Sequence, residues 1–380
     1  MRKKAYLIIY IMLTVSLLAG CWNYRGLDEM SIVAGLAIDR DEDTGGYRIT
    51  FEIVDTTGNV KQEGVKPMLL ESTGDTLFDA AREAKRRIVN KIYFGHMETV
   101  ILSEEIARNV DLGDIVDFLT RDGEIRETLA IVISQENCAC DLLTIEGIGH
   151  PLVSYEIEKI VMADNKITSS TPYSQLYKIH EDLHAEGLEL VLPAFHNADN
   201  HGKPVTEANG AAVYKGEKLI GFLTPAQTKY YLFIMGKVEG GVLTCSSTGQ
   251  GKDNATLEIN TSTTHRSFEY KDGKLAVVLK VETNTYLNEA DTPIDSLDET
   301  AIGNLEKKAS EKLVRGIADT ISAVQTQYNS DIFGFGDMIH KENFKLWNKL
   351  KDQWDVLFPQ LEVKIECKVN IVNTARVKEQ

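Results

Sequence analysis

Apolar and polar positions along the chain alternate with two periods, and each period predicts a different kind of element. Ser31 to Asp39 (SIVAGLAID) and Tyr47 to Val54 (YRITFEIV) read as strands joined across Asp41 to Gly46 as a hairpin. Asp75 to Val89 puts Leu77, Ala81, Ala84 and Ile88 on one helical face and Arg82, Lys85 and Arg86 on the other. A strand over Thr99 to Leu102 leads to a helix start at Ser103, with acids at Glu104 and Glu105 in its first turn. Asp111 to Thr120 continues helical, and Thr128 to Ser134 (TLAIVIS) reads as a buried strand. Pro172 opens a helix to Ala185 that Gly187 closes, and Glu189 to Pro193 is a short strand.

The second half repeats the mixture in another order. Asn197 to Asn209 is polar, contains Gly and Pro, and marks a boundary. Gly210 to Tyr214 and Lys218 to Leu223 form a hairpin over Lys215 to Glu217. Val242 to Cys245, Ala255 to His265 and Lys274 to Thr285 are strands, the last two joined through the turn-forming pair Asp272-Gly273. A helix over Leu297 to Gln327 keeps Leu305, Ala309, Leu313, Ile317 and Ile321 in one stripe, a second covers Phe344 to Phe358, and Leu361 to Val372 closes as a strand. The fold class this predicts is α+β, with mixed and antiparallel sheets, packed helices and a two-layer C-terminal domain. The chain divides into an N-terminal α+β region over 31–196, a middle segment over 197–238 and the C-terminal domain over 239–380.

The head of the chain follows neither period. Arg2, Lys3 and Lys4 precede an uncharged run from Tyr6 to Ala19, and Leu18-Ala19-Gly20-Cys21 ends it. Such a run is shorter than the roughly 20 apolar residues a spanning helix needs and has the form of a secretory signal. The terminal tetrapeptide resembles a bacterial lipobox, in which the signal (1–20) is removed and the cysteine thiol takes a diacylglycerol. Cys21 is therefore the expected lipid-attachment site, 21–30 a tether, and the body extracytoplasmic, because two acyl chains anchor a protein stably where one does not. Losing the signal takes away three cations and moves the formal charge from −16 to −19. So acidic a body argues against nucleic acid as partner.

Candidate chemistry is sparse. His180-Glu181-Asp182-Leu183-His184 fits the H-E-x-x-H pattern of zinc peptidases, but Leu190 stands where the extended pattern needs a third ligand. Its histidines flank an apolar stripe of Leu176, Ile179 and Leu183, so a structural role is expected and no metal. His96 reads as a hydrogen-bonded structural histidine. Cys138 and Cys140 are spaced too closely for an ordinary disulfide, Cys245 and Cys367 fall in strands where a bridge would fit, and buried thiols are the expectation for all four. Trp347 and Trp354 share a helical face with Leu350 and Phe358 and read as core. In Asp331-Ile-Phe-Gly-Phe-Gly-Asp337, Phe333 and Phe335 are expected to plug the interior while the glycines allow a sharp path.

Taken in order, several blocks resemble the Ger(x)C spore germination lipoproteins. They are Leu-Ala-Gly-Cys-Trp with Leu27-Asp28-Glu29, Val33 to Asp39, Tyr93-Phe94-Gly95-His96, Glu104 to Ala107, Arg121 to Arg126, Gly210 to Tyr214 and Gly221 to Leu223. The likeness is closest over Ser330 to Trp354, and Cys138 and Cys140 depart from it. The resemblance implies three α+β domains and a non-enzymatic, cofactor-free C subunit of a nutrient germinant receptor. It implies as partners a multi-pass A subunit and a permease-like B subunit at the spore inner membrane. Two other readings compete: a solute-binding lipoprotein of a transporter, and a tethered zinc peptidase through His180, Glu181 and His184. The chain lacks the paired βα repeats of the first.

Overall fold

The computed structural model describes residues 29–55, 65–246, 254–290 and 299–374, with isolated earlier positions (3–6, 10, 12 and 26). Cys21 lies outside the described residues. No helix among the described residues is long and apolar enough to cross a membrane.

A mixed sheet runs through the N-terminal half. Its strands are β1 (Met30–Arg40), β2 (Tyr47–Asp55), β3 (Lys66–Gly74), β4 (Lys91–Tyr93), β5 (Thr99–Leu102), β6 (Ala130–Ser134), β7 (Val191–Asn200), β8 (Lys203–Lys215) and β9 (Lys218–Leu223). The order is β3-β2-β1-β5-β6-β7-β8-β9, with β4 also pairing β1. β1, β5, β6 and β7 are mutually parallel, while β2 and β3 on one side and β8 and β9 on the other run antiparallel. The parallel strands are buried on both faces, which explains their unbroken apolar runs.

Helices α1 (Leu77–Glu83), α2 (Glu104–Asn109) and α3 (Leu112–Arg121) cover one face; α4 (Cys140–Leu143) and α5 (Val153–Ile167) cover the other; α6 (Leu176–Leu183) returns to the first. Ser103 caps α2 by accepting from Ile106 N–H, as its sequence predicts. Two helices begin or end differently from expectation. The segment expected helical to Val89 leaves α-geometry after Glu83 and tightens over Ala84–Arg86, with Lys85 Nζ donating to the carbonyls of Ile88 and Asn90. α6 starts at Leu176 rather than Pro172, because Gln175 pairs with Ala130 as a bridge and delays the first turn.

The polar stretch expected as a boundary after Asn197 is a hairpin instead. β7 and β8 pair out to Asn200 opposite Lys203, turning at His201 and Gly202, which both take positive φ. Residues 197–209 thus belong to the large sheet. Past β9, α7 (Pro225–Met235) packs between that sheet and the C-terminal half.

The second sheet has the order β10-β11-β12-β13, from β10 (Val242–Cys245), β11 (Ala255–Lys271), β12 (Lys274–Ala290) and β13 (Glu362–Thr374). β11 and β12 turn at Asp272 and Gly273, both at positive φ, which is the turn the sequence predicts. β13 closes parallel to β12. Between them lie α8 (Glu299–Ala323), α9 (Phe335–Glu342), α10 (Phe344–Leu350) and α11 (Trp354–Leu357). The helix expected over 344–358 is therefore two, separated by a tight turn at Lys351–Gln353. The result is multi-domain α+β, yet one apolar core joins Val191, Ala211, Val213 and Leu223 of the first sheet to α7, α8 and the second sheet.

Candidate functional site

The glycine and aromatic block after α8 forms a joint between the two halves. Phe333 and Phe335 are both fully buried, with ring centroids 5.3 Å apart, as the sequence predicts. Asp331 sits beneath them. Its carboxylate accepts from Phe335 N–H at 3.1 Å, Gly336 N–H at 2.8 Å and the Trp354 indole N–H at 3.1 Å. Burial outweighs these donors and pushes the Asp331 carboxyl up to about 6. Arg266 on β11 donates to the carbonyls of Phe333 and Gly334 at 2.6 and 3.0 Å. Trp347 and Trp354 meet edge to face at 5.3 Å and are core residues, as expected.

Hydrogen bonds cross the joint to the N-terminal half at several points. Trp347 Nε1–H donates to Glu186 at 2.7 Å, Asp337 N–H to Gly187 O at 2.8 Å, Glu189 N–H to Asp331 O at 3.1 Å and Ser330 Oγ–H to Tyr214 O at 2.5 Å. Gly187 and Gly336 touch backbone to backbone: a Cβ on Gly336 would fall 2.9 Å from Gly187 Cα. Further along, Tyr328 donates to Phe222 O at 2.8 Å, and a Cβ on Gly221 would lie 2.4 Å from its ring.

A groove of about 1040 Å³ opens elsewhere, between α1 and α3. Leu77, Phe78, Ile92, Phe94 and Phe118 give it an apolar floor, and Arg82, Lys85, Asp114, Asp117 and Arg121 stand around it. Phe78 is 57% exposed, with the Arg82 guanidinium stacked 4.8 Å from its centroid. Arg121 is held by Asp117 at 2.6 Å, and Lys91 pairs with Glu124. Such a lining suits an apolar segment flanked by charges.

Two family models divide the chain between them. "Spore germination protein N-terminal domain" matches residues 23–197, and "Spore germination B3/ GerAC like, C-terminal" matches 209–375. The chain belongs to the Ger(x)C family of spore germination proteins. Among curated relatives from Bacillus subtilis (strain 168), spore germination protein B3 is 25% identical, the match covering 95% of each chain. Spore germination protein KC is 23% identical over 98% of this chain and 97% of its own. The crystal structure of the GerBC protein, 24% identical, superposes with a TM-score of 0.56 over 89% of this chain and 97% of that one. These relatives support a role in spore germination.

Several of the blocks that carry the Ger(x)C resemblance fall at the two places already described, while Val33 to Asp39 lies in β1 and Glu104 to Ala107 in α2. Phe94 and Arg121 to Ile125 line the groove, while Gly221 to Leu223 and Ser330 to Trp354 build the joint. His180 and His184 are both exposed at the end of α6, with ring centroids 5.0 Å apart. His184 Nδ1 lies 2.8 Å from His180 O, and Glu181 is tied to Lys178 at 3.0 Å. No third metal-binding group stands beside them among the described residues. His96 is exposed, its Nδ1 3.3 Å from Arg126.

Cysteine placement departs from expectation. Cys138 and Cys140 are joined in a disulfide, because a turn at buried Ala139 brings their Cα atoms to 5.2 Å, inside the usual range for such bonds. Cys245 is buried and Cys367 half-buried, and they are not joined to one another. Sequence reasoning also missed Glu52 on β2. It is buried and accepts the Val153 and Ser154 N–H groups at 2.7 and 2.9 Å, holding the start of α5. Glu52 falls on the polar phase of the Tyr47 to Val54 alternation with Arg48 and Thr50, so nothing in the sequence marked it as buried.

Proposed function

We infer that this chain is the lipid-anchored C subunit of a nutrient germinant receptor, working beside A and B subunits through protein contacts and without catalysis of its own. The observation that carries this reading is the pair of family matches, the first of which begins at residue 23, two residues after the lipobox cysteine. Diacylglycerol on Cys21 would hold the acidic body at the outer face of the spore inner membrane. The groove between α1 and α3 is the contact face we assign to a partner subunit, since two family blocks line it and its floor is apolar.

Cys21→Ala in spores tests the anchor. The variant body should leave the membrane fraction and nutrient-triggered germination should fall sharply, while circular dichroism of the soluble part stays unchanged. Full membrane retention with a normal nutrient response would refute the reading. Photo-cross-linking from Phe78 in spore membranes should capture a multi-pass partner.

A further inference from the structure

Neither the joint nor the groove uses Cys138 and Cys140. Both residues are half-buried, Cys140 packing against the core beside Leu142 and Val153, and the Cys138 sulfur lies 3.2 Å from Oδ2 of Asp39, which is itself only 5% exposed. The loop around them is held by other means. Asp39 accepts from Ala139 N–H at 2.7 Å and Cys140 N–H at 3.3 Å, and Asp141 accepts from Cys138 N–H at 3.4 Å. A bond between residues two apart closes one of the shortest loops in a chain, and so constrains the unfolded state little. The bond is therefore at the edge of the core rather than sealed within it, flanked by an acid–base group, and dispensable for the loop's shape. Those properties belong to an exchanging disulfide rather than a structural one.

We propose that Cys138 and Cys140 form a thiol–disulfide exchange site, with Asp39 as its proton-handling group and a dithiol, or two monothiols, as co-reactant. A thiolate of the co-reactant attacks Cys140 Sγ and forms a new S–S bond as the Cys138–Cys140 bond breaks. The electron pair leaves on Cys138 Sγ, which takes up a proton beside Asp39. A second thiolate then attacks the co-reactant sulfur in the mixed disulfide and releases Cys140, which is protonated in turn. The chain has gained two electrons and two protons, and the co-reactant ends as a disulfide. Burial raises the Asp39 carboxyl, so it keeps a proton to hand to the leaving sulfur at higher pH than an exposed aspartate. The Ser103 hydroxyl and the Arg48 charge act on Asp39 in the opposite sense.

The test uses the full chain purified without reductant and labelled with a maleimide at neutral pH, where burial keeps Cys367, pushed up to about 12, unreactive. The peptide carrying Cys138 and Cys140 should be unlabelled at first, take two labels after dithiothreitol without loss of circular dichroism, and close again in oxidised glutathione. Asp39→Asn should slow reduction about fivefold or more and flatten its pH profile, while Cys138→Ser abolishes exchange without unfolding the chain. Three outcomes overturn the proposal: both thiols labelled before any reductant, a bond that opens only in denaturant, or one tightly held zinc per chain consuming both thiols. An unchanged pH profile in Asp39→Asn would overturn the role given to Asp39.

Discussion

Burial and hydrogen bonding pull Asp331 in opposite directions, and burial wins, holding its carboxyl at about 6. In the unfolded chain the same group titrates at about 3.9. Between these values the folded protein binds the extra proton, so stability falls as pH rises from 4 to 6 and is flat beyond. The span amounts to about 3 kcal/mol. Asp331→Asn removes this titration, so urea midpoints at pH 4 and 7 should shift in favour of the variant at the higher pH, by up to that amount. Asp331→Ala leaves the two backbone N–H donors and the Trp354 indole unpaired in the interior and removes the same titration, so its cost should be greatest at pH 4 and about 3 kcal/mol smaller at pH 7. Phe333, Phe335, Trp347 and Trp354 were legible as core residues because large aromatics at turn and helix spacing have few other places to go. The acid they surround was not, since an aspartate at a turn normally faces water. The Cys138–Cys140 bond was misread for another reason: residues two apart can lie inside or just beyond the disulfide range of Cα separations, and the turn at buried Ala139 sets 5.2 Å, which the spacing alone does not reveal.

Elements were legible where one face met water and the other the core. α7 shows the opposite case. Thr228, Tyr231, Leu232, Phe233 and Ile234 are all buried, so no polar face marks the helix, although its ends are plainly signalled. Thr224 accepts from Gln227 N–H, Gln227 answers by accepting from Thr224 N–H, Pro225 opens the first turn, and Gly236 closes the last in the left-handed region. Thr224→Ala should destabilise the chain by about 1 kcal/mol, read as a lower urea midpoint at unchanged slope, with Thr224→Ser close to neutral. The 197–209 stretch misled for another reason. The outer halves of β7 and β8 are half-buried to exposed on both faces, so polar residues fill positions pointing both ways and the alternation that marks a strand disappears. Length and backbone pairing, not side-chain pattern, make it a hairpin.

Across the whole molecule, the division into three parts describes the sequence better than the packing. β7, β8 and β9 give one face to the helices of the N-terminal half and the other to α7 and the C-terminal core. Calorimetry of the described body should therefore show one transition, and a fragment starting at residue 239 should bind a hydrophobic dye and aggregate. Two well-separated transitions would contradict the shared core. Which surface reads as functional was legible only through family blocks, because a contact face has no residue chemistry of its own to announce it.

The β7–β8 ribbon also bears on how such proteins diversify. The gap between the two family matches, residues 198–208, lies within it. A recombination event there would join one parent's outgoing strand to another's returning one, and the rungs from Val191 opposite Val213 to Asn200 opposite Lys203 would have to fit between strangers. Gene shuffling at the place where the sequence looks most divisible would thus break a ladder, and the two halves are expected to have been inherited as a single block.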